Sequence, residues 1–537
     1  MPAQQTRRTR VLFALSLLIP LALYVGLASR FIAAQVGYEM DEALYTESAV
    51  FLLAGSGTPP FVYDPASWIT ISGRSWPLMI IPYVGAAKAY VALPLFAAFG
   101  ISPEVARFSG VLLGSLGIAG LVTLIGWQIS PAAALIVGLL LAIHPSYLDF
   151  TAFDNGGVAV WMAAAGLAAL ALTNHLRRPS MLSALLVGIA AGLGVWARAN
   201  VLWLLPSVIV AALVAFGRRA IPARRHIAAM IVGGCLGGAP LILYEAASRL
   251  GTFRFISSTR RPLSGQLVAQ RLRALAEVMI SDREQRVIWG GPPVSLWEAG
   301  VGTALLALVF VSAFAPIRPD SQPISRWRRA FAVSAVVLTI ILLTSRLGIQ
   351  PHHLAAVLPL ALAALVLFSV EIASRFRSAI LPLGALAAGL AVLSLSWDVR
   401  IDRGLRQTGG IGAFSSAIND VSRYLESHPV PPDRLKILHW GFQNNLYVTS
   451  RGSVYGSELF WGATKEVSRR GNTWESEIRD GGSFLLFLFP MGPPEISDGA
   501  QGFSKALEDY GGPRREQLFF GRSGSPIVRL VEITPAR

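Results

Sequence analysis

Residues 38–48 read Tyr-Glu-Met-Asp-Glu-Ala-Leu-Tyr-Thr-Glu-Ser and follow the first apolar stretch of the chain, which covers residues 11–28. Apolar side chains recur after Asp41 at the spacing of one helix face, at Leu44, Tyr45, Ala49 and Leu52. The segment therefore predicts an amphipathic helix just outside a membrane span. The adjacent carboxyl groups of Asp41 and Glu42 lie at the start of this helix, at the boundary between lipid and water.

The composition of the whole chain is that of a polytopic membrane protein. Of its 537 residues, 53% are hydrophobic and 14% are charged, whereas a soluble domain has about 25% charged residues. A membrane-spanning helix needs about 20 consecutive, mainly apolar residues. Twelve stretches approach this length, near 11–29, 77–99, 108–127, 131–148, 156–173, 181–197, 199–216, 227–247, 296–316, 330–345, 353–370 and 379–397.

Arginine clusters in the short loops indicate how the chain crosses the membrane. They are Arg177 and Arg178, then Arg218, Arg219, Arg224 and Arg225, then Arg318, Arg326, Arg328 and Arg329, and finally Arg375 and Arg377. Positive residues favour the cytoplasmic side. All four clusters and the basic N-terminus share that side only if one early stretch does not cross. Stretch 77–99, which contains three prolines and Lys88, predicts a juxtamembrane or re-entrant helix on the outer side and leaves eleven spans.

This topology places three loops outside the cytoplasmic membrane, at 30–107, 149–155 and 248–295, together with everything after residue 397. The loop 248–295 contains eight arginines, which opposes the topology but is outweighed by the twelve in the short loops. A basic outer loop could bind lipid phosphate. Residues 398–537 have the composition of a soluble domain, with a predicted amphipathic helix at 413–427 and strands at 435–440, 483–489 and 527–532. We therefore expect an α-helical membrane domain at 1–397, with about eleven transmembrane helices and juxtamembrane helices, followed by a small extracytoplasmic α/β domain.

Several classes of function are disfavoured by the residues present. The one cysteine, Cys235, rules out an internal disulfide framework and a cysteine-based metal site. The net charge of +15 is better explained by membrane topology than by nucleic-acid binding. Arginine carries nearly all of the positive charge, which is typical of a bacterial genome rich in G and C. The sequence contains neither a GxxxxGK[ST] phosphate loop nor an HExxH zinc motif.

Acidic residues of two outer loops are the candidate catalytic groups. Asp41 and Glu42 begin the first helix outside the membrane, and Asp154 precedes the stretch that starts at Gly156. Partial burial raises the pKa of a carboxyl group towards the range of a general base. The alternative is that Asp41 and Asp154 only cap helices, and Asp149 is a rival to Asp154. Because both loops face the same side of one bundle, we interpret the acids as parts of a single site.

Cationic residues near the same surface are candidates for binding phosphate, since arginine holds phosphate oxygens through paired hydrogen bonds. They are Arg74, Lys88, Arg198, Arg346, His352 and His353. The alternative for each is anchoring at the lipid headgroups. Metal binding through His352 and His353 is disfavoured because adjacent residues do not share a helix face. We predict no metal site, although a divalent ion stays open as a cofactor.

These features indicate a donor substrate that lies in the membrane. The outer side of a bacterial membrane has no supply of ATP or nucleotide sugars, so a transferase there needs a donor already activated and carried by lipid. A polyprenyl-phosphate sugar fits, with its phosphate at the headgroup level and its chain between helices. Two alternatives remain: a transporter or flippase of lipid-linked sugars, and a non-catalytic membrane scaffold. Most charges lie at the ends of spans, which favours an enzyme at one surface.

The acidic segment also resembles a known family. Asp41-Glu-Ala-Leu-Tyr-Thr-Glu47 is similar to the Asp-Glu-Ala-x-Tyr-x-Glu segment of GT-C membrane glycosyltransferases. These include glycosyltransferase family 39, with protein O-mannosyltransferases and lipid A aminoarabinose transferases. Further weak similarities follow in order over residues 1–400, at 76–90 with Phe99, Gly100 and Arg107, at 153–161 and at 351–360.

The resemblance implies roles for individual residues. Asp41 would be the catalytic base, Asp154 would belong to the second acidic loop, and Lys88 is the nearest match to the cation that binds the lipid phosphate. The function expected is transfer of a sugar, with inversion, from a polyprenyl-phosphate donor to a hydroxyl group of a lipid, glycan or protein acceptor. The reaction would occur at the outer face of the cytoplasmic membrane, among membrane lipids.

Overall fold

The computed structural model describes residues 7–54, 64–154, 156–281, 285–317, 322–459, 474–489 and 494–534. The first half of the membrane domain contains the helices α1 (Arg7–Ile32), α2 (Met40–Leu44), α3 (Glu47–Ala54), α4 (Ala87–Phe99), α5 (Pro103–Gln128), α6 (Pro131–Ala142), α7 (Pro145–Ala152), α8 (Val158–Arg177), α9 (Met181–Ala197) and α10 (Val201–Phe216). The second half contains α11 (Arg224–Gly237), α12 (Ala239–Ala247), α13 (Gly251–Ser258), α14 (Gly265–Val278), α15 (Gln285–Trp289), α16 (Leu296–Phe314), α17 (Gln322–Thr344), α18 (Pro351–Leu354), α19 (Val357–Arg375) and α20 (Ile380–Thr408).

The chain is a multi-pass membrane protein. Among the described residues, eight helices are long and apolar enough to cross a bilayer, and two bent pairs, α6 with α7 and α11 with α12, raise the number to ten if each is one span. The remaining predicted span, 181–197, coincides with α9, which is apolar but only 17 residues long. Each predicted span thus coincides with an apolar helix or a bent pair of helices, but among the described residues eight to ten of them, rather than eleven, are long enough to cross a bilayer.

Segment 77–99 is only partly helical. Strand β1 (Trp68–Ile71) pairs antiparallel with β2 (Arg74–Pro77), and β3 (Met79–Ile81) pairs antiparallel with β4 (Val84–Gly85). The prediction of a helix from residue 77 was wrong, because Pro77 and Pro82 cannot donate the hydrogen bonds that a helix interior needs. The helix α4 has 13 residues, or about 20 Å, which is too short to cross the roughly 30 Å hydrocarbon core.

The basic loops meet at one end of the bundle. The Trp127 ring lies 5.2 Å from the Phe13 ring and 3.5 Å from the Arg177 guanidinium carbon, so the N-terminal end of α1 lies beside the first arginine cluster. The other clusters are joined by ring contacts of His175 with His226 and of Phe216 with Trp327, and by the pair of Arg328 with Glu371. The juxtamembrane helices α2 to α4 follow the opposite end of α1. The described arginines of these clusters therefore lie at the end of the bundle remote from these helices, whereas Arg318 lies outside the described residues.

Helix α5 packs closely against α7 and α8. A Cβ atom on Gly120 of α5 would lie 2.1 Å from the carbonyl oxygen of Gly166 on α8, and one on Gly110 would lie 2.5 Å from the carbonyl oxygen of Thr151 on α7. Small residues allow this close approach of helix backbones in membrane proteins. The packing holds Arg107 of α5 close to Asp154, which follows α7.

The C-terminal part is an α/β domain built on a five-stranded sheet with the order β6-β5-β7-β9-β8. Its elements are α21 (Ala417–Ser427), β5 (Leu435–Ile437), α22 (Gln443–Thr449), β6 (Ser457–Glu458), α23 (Trp474–Asp480), β7 (Gly482–Phe487), α24 (Pro494–Glu508), β8 (Arg514–Phe520) and β9 (Pro526–Ile533). Strands β5, β6 and β7 are parallel, whereas β9 is antiparallel to β7 and β8. Helix α20 continues past residue 397 to Thr408. The domain boundary at residue 397 stays a prediction.

Candidate active site

Helix α2 presents Asp41 in its first turn, where a carboxylate is favoured by the helix dipole. The residue that caps this helix is Glu39, whose carboxylate accepts a hydrogen bond of 2.7 Å from the Asp41 N–H. The alternative that Asp41 serves only as a cap therefore does not hold. Asp41 itself is half-buried.

Glu42, by contrast, is committed to a buried ion pair. The Arg107 guanidinium donates to both carboxylate oxygens of Glu42, at 2.8 and 3.2 Å, and its remaining N–H groups donate to the carbonyl oxygens of Val36 and Gly37. Both side chains are about 2% exposed or less. Through these bonds Arg107 joins α5 to α2 and to the chain before it. Glu42 therefore helps to hold α2 in position.

Burial raises the pKa of Glu42 from its ordinary 4.5 to about 7, and the Arg107 guanidinium opposes this rise. The folded protein therefore binds more protons than the unfolded chain between pH 4.5 and 7. The stability that Glu42 contributes is fully present below pH 4.5 and is lost as the pH rises towards 7.

We expect this loss to be at most roughly 3 kcal/mol. The measurement is the thermal denaturation midpoint in detergent between pH 5 and 8, for wild type and Glu42→Gln. The wild-type midpoint should fall relative to that of the variant as the pH rises to 7, and the difference should then stay constant. Parallel curves over the whole range would contradict the raised pKa.

Lys88 and Asp154 form the second buried pair. The Lys88 Nζ lies 2.7 Å from the Asp154 Oδ2, with the side chains 3% and 0% exposed. The ammonium group also lies 5.9 Å from the centre of the Tyr45 ring. An ammonium group has three N–H donors, so the pair does not use all the binding capacity of Lys88.

The backbone around Asp154 is held in an unusual conformation. Asp154 has φ 47° and Gly156 has φ 78°, a region that L residues rarely adopt. The Asp154 Oδ1 accepts a hydrogen bond of 2.7 Å from Ala159 N–H at the start of α8. Asp154 thus caps α8 and binds Lys88 at the same time.

A single tyrosine connects the two acidic loops. Tyr45, one turn after Asp41, is buried, and burial raises its pKa well above 10. The negative charges of Asp41 and Asp154 raise this pKa further, whereas the Arg198 charge lowers it. Since the Tyr45 ring also lies 5.9 Å from the Lys88 Nζ that binds Asp154, the helix that carries Asp41 and the second acidic loop lie on the same side of the membrane domain.

Arg198 and His353 contribute a third buried contact. The Arg198 Nη2 lies 3.1 Å from the His353 Nε2, and the His353 Nδ1 accepts a hydrogen bond of 2.9 Å from Gln350 N–H. A neutral imidazole has only one acceptor nitrogen, so Arg198 and Gln350 cannot both donate to it. The Arg198 Nε is buried without a hydrogen-bond partner among the described residues. Arg198 therefore retains donors for an anion.

His352 lies against the second acidic loop. A Cβ atom on Gly156 would lie 2.6 Å from the His352 ring, so only glycine fits beside it. The rings of His352 and His353 are 4.2 Å apart. The cluster of Asp41, Glu42, Lys88, Asp154, Arg198, His352 and His353 is thus brought together by α2, α4, α18 and the loops before α8 and α10; we call it the acid–base cluster.

Two of the candidate cations lie apart from this cluster. The exposed Arg74 donates to the carbonyl oxygen of Leu52 at 2.6 Å, and its guanidinium carbon lies 5.1 Å from the centre of the Trp76 ring. Arg346 is also exposed, in a loop whose carbonyl groups accept hydrogen bonds from the buried Arg271. Arg74 therefore joins the β1–β2 hairpin to α3, and Arg346 lies at the surface, outside the acid–base cluster.

The sequence reasoning missed Arg107 and Tyr45 as parts of the site. The signal for Arg107 was a charged residue near the start of an apolar span, which is costly unless it has a partner. Tyr45 was taken only as part of an apolar helix face. The carboxylates do not form a set of metal ligands: Glu42 and Asp154 each have a cationic partner, and no group of three His, Cys, Asp or Glu side chains converges within the described ranges.

Comparison with known proteins identifies the architecture. No protein-family model matches the chain, and no curated protein matches its sequence. Among solved structures, ArnT from Cupriavidus metallidurans bound to undecaprenyl phosphate matches with a TM-score of 0.60 and 14% identity, over 96% of this chain and 97% of that chain. The chain has the GT-C fold.

Two further structures agree with this assignment. ArnT from the same organism in the apo state has a TM-score of 0.57 and 16% identity, over 95% of this chain and 97% of that chain. The oligosaccharyltransferase of Archaeoglobus fulgidus tethered with an acceptor peptide has a TM-score of 0.51 and 13% identity, over 96% of this chain and 73% of that chain. The GT-C architecture predicted from the resemblance of residues 41–47 is confirmed.

Proposed function

We propose that this chain is a glycosyltransferase that transfers a sugar from a polyprenyl-phosphate donor to a hydroxyl group of an acceptor. The observation that carries the proposal is the half-buried Asp41 one turn before Tyr45, whose ring centre lies 5.9 Å from the buried Lys88 Nζ, within the GT-C fold. One structure of that fold was determined with undecaprenyl phosphate bound. Sugar transfer from such a donor requires both a base for the acceptor and cations for the phosphate.

Asp41 takes the proton from the acceptor hydroxyl group. The hydroxyl oxygen forms a bond to the anomeric carbon of the sugar while the bond from that carbon to the phosphate oxygen breaks. A single displacement inverts the anomeric configuration. The partial exposure of Asp41 supports this role, because a general base must come within hydrogen-bond reach of the hydroxyl group. The acceptor is a hydroxyl-bearing lipid, glycan or protein.

Lys88 and Arg198 stabilise the phosphate that leaves. Both groups are fixed before the reaction, Lys88 by its ion pair with Asp154 and Arg198 by its burial beside the His353 ring. Donors fixed in a site that excludes water stabilise developing charge far better than mobile groups do. Asp154 acts as the partner that orients Lys88, and Glu42 with Arg107 holds the helix that carries Asp41.

The reaction site and the C-terminal domain lie outside the cytoplasmic membrane in this proposal. The support is the position of the arginine clusters at the end of the bundle remote from α2, since positive loops favour the cytoplasm. The proposed polyprenyl-phosphate donor would lie in the same membrane, with its phosphate at the outer headgroup level beside α4.

This orientation predicts which positions a membrane-impermeant maleimide reaches in intact cells or spheroplasts. In a Cys235→Ala background, Ser453→Cys in the C-terminal domain should be labelled without permeabilisation. Pro179→Cys, in the arginine-containing loop between α8 and α9, should be labelled only after permeabilisation. Both positions are exposed. The opposite labelling pattern would reverse the proposed orientation.

The test of the function is transfer from a radiolabelled polyprenyl-phosphate sugar by the purified chain in detergent, with a bacterial envelope extract as the source of acceptors. We expect the label to move to an acceptor and unlabelled polyprenyl phosphate to accumulate in equal amount. In proteoliposomes, movement of the labelled lipid between leaflets without transfer would instead identify a flippase. Mass spectrometry of lipid that copurifies with the chain would identify the sugar.

A further inference from the structure

The helix that carries Asp41 cannot hold its own position. Helix α2 has five residues, whereas isolated helices shorter than about 12 residues are marginal in water. The placement of Asp41 therefore depends on what packs around α2. In the membrane domain, Arg107 holds α2 by donating hydrogen bonds to Glu42 and to the carbonyl oxygens of Val36 and Gly37, which precede the helix.

The C-terminal domain supplies the other side. Helix α22 packs against α2 and α3. Tyr447 and Val448 of α22 share one apolar cluster with Tyr38, Ala43 and Val50 of the juxtamembrane segment. The segment that carries Asp41 is thus enclosed between the two domains, in an apolar contact that either domain alone would leave exposed to water.

A buried polar contact joins α22 to the start of α3. The Asn444 amide nitrogen of α22 donates a hydrogen bond to a carboxylate oxygen of Glu47 at the start of α3. Both residues are buried, at 2% and 4% exposure. A buried carboxylate is costly without a hydrogen-bond partner. The contact therefore specifies one arrangement of α22 on the chain between α2 and α3.

The chain before α2 is held by the same domain. Gly37 N–H donates to the carbonyl oxygen of Phe414 at 2.8 Å. A Cβ atom on Gly37 would lie 2.0 Å from the carbonyl oxygen of Ser415, so the two backbones are in direct contact. The Arg522 guanidinium donates to the carbonyl oxygen of Ala34. Both ends of the segment 34–50 thus contact the C-terminal domain.

We propose that Asn444 is a positioning residue for Asp41, and that through its hydrogen bond to Glu47 the C-terminal domain sets the geometry of the catalytic helix. This inference rests on the proposed function. The domain is then a structural part of the active site, whereas a separable cap or an acceptor-binding module would leave the orientation of α2 unchanged.

The first test is Asn444→Ala in the full-length protein. Because small displacements of a catalytic group are costly, we expect kcat for sugar transfer to fall roughly 10- to 100-fold while KM for the lipid donor stays nearly constant. The matched control is Asn445→Ala. Asn445 is a buried neighbour on the same helix. Among the described residues its side chain bonds within the C-terminal domain, donating to the Gly441 carbonyl oxygen and accepting from the Leu446 N–H. It should leave kcat unchanged.

The second test exchanges donor and acceptor. Asn444→Asp alone sets two carboxyl groups against each other and should lower kcat strongly. Asn444→Asp combined with Glu47→Gln restores a hydrogen bond of opposite direction, and we expect it to regain about tenfold in kcat over Asn444→Asp. This comparison carries the test if Asn444→Ala does not fold. No recovery in the double variant, or equal losses for Asn444→Ala and Asn445→Ala, would overturn the proposal.

Amide hydrogen exchange gives a readout that does not require transferase activity. Asn444→Ala should speed exchange in residues 38–50 while the sheet of the C-terminal domain keeps its protection, and Asn445→Ala should leave residues 38–50 unchanged. If wild type shows no transfer in any assay, the proposed function fails, but accelerated exchange would still establish the coupling of Asn444 to α2. Unchanged exchange in both variants would refute that coupling.

Discussion

Asp41→Asn is expected to lower kcat for sugar transfer by about a thousandfold, within the range of 10²- to 10⁴-fold that a general base contributes. Asparagine has the size of aspartate, and its backbone N–H can still donate to the Glu39 carboxylate that caps α2. The change therefore removes the proton acceptor and preserves the helix. KM for the lipid donor should change little, because the proposed phosphate ligands are Lys88 and Arg198.

The measurement is initial-rate transfer from a labelled polyprenyl-phosphate sugar at equal amounts of folded protein, judged by gel filtration in detergent. Glu104→Gln is the matched control. It also removes one carboxylate, at an exposed position in the first turn of α5, and should leave the rate unchanged. Wild-type activity in Asp41→Asn would rule out Asp41 as the base and would leave the mechanism without a proton acceptor from α2.

The sequence predicted the membrane architecture because that information is local. Apolar length identifies a span, and arginines identify its cytoplasmic end. Segment 77–99 shows where local information fails: its apolar residues satisfy a helix and a strand equally, and the prolines at 77 and 82 decide for the hairpins. Helix α20 likewise extends to Thr408 because its polar last turns have partners, such as the Asp402 carboxylate bound to Arg30 of α1.

The partners within the site were not readable from the sequence. Asp41 and Glu42 are adjacent in the chain, and nothing in their spacing shows that Glu42 would be buried on Arg107, 65 residues later, while Asp41 stays accessible. The pairing of Lys88 with Asp154 likewise depends on how α4 packs beside the loop before α8. The sequence identified the residue types that such a site needs, whereas tertiary packing determines which of them are buried in ion pairs.

Substitutions in the buried pair of Lys88 with Asp154 can separate an effect on stability from an effect on the rate of sugar transfer. Lys88→Met leaves a fully buried carboxylate without its cation, and we expect a loss of about 3 to 5 kcal/mol in stability together with loss of transfer. Lys88→Met combined with Asp154→Asn removes both charges and keeps a side-chain oxygen for the Ala159 N–H. Exchange of a whole buried pair for neutral groups is often roughly neutral, so thermal stability in detergent should return close to wild type.

Activity should not return with stability in that double variant. If Lys88 holds the departing phosphate, kcat stays lower by about 10²- to 10³-fold, the range for removal of one fixed donor from a developing anion. Lys436→Met is the control, since its Nζ also lies 2.7 Å from a carboxylate, that of Glu477, in the C-terminal domain; it should lower stability and leave kcat intact. Full activity in a stable Lys88→Met/Asp154→Asn protein would assign the pair to the fold alone. It would leave Arg198, whose buried Nε has no hydrogen-bond partner in the described part of the chain, as the group that binds the phosphate.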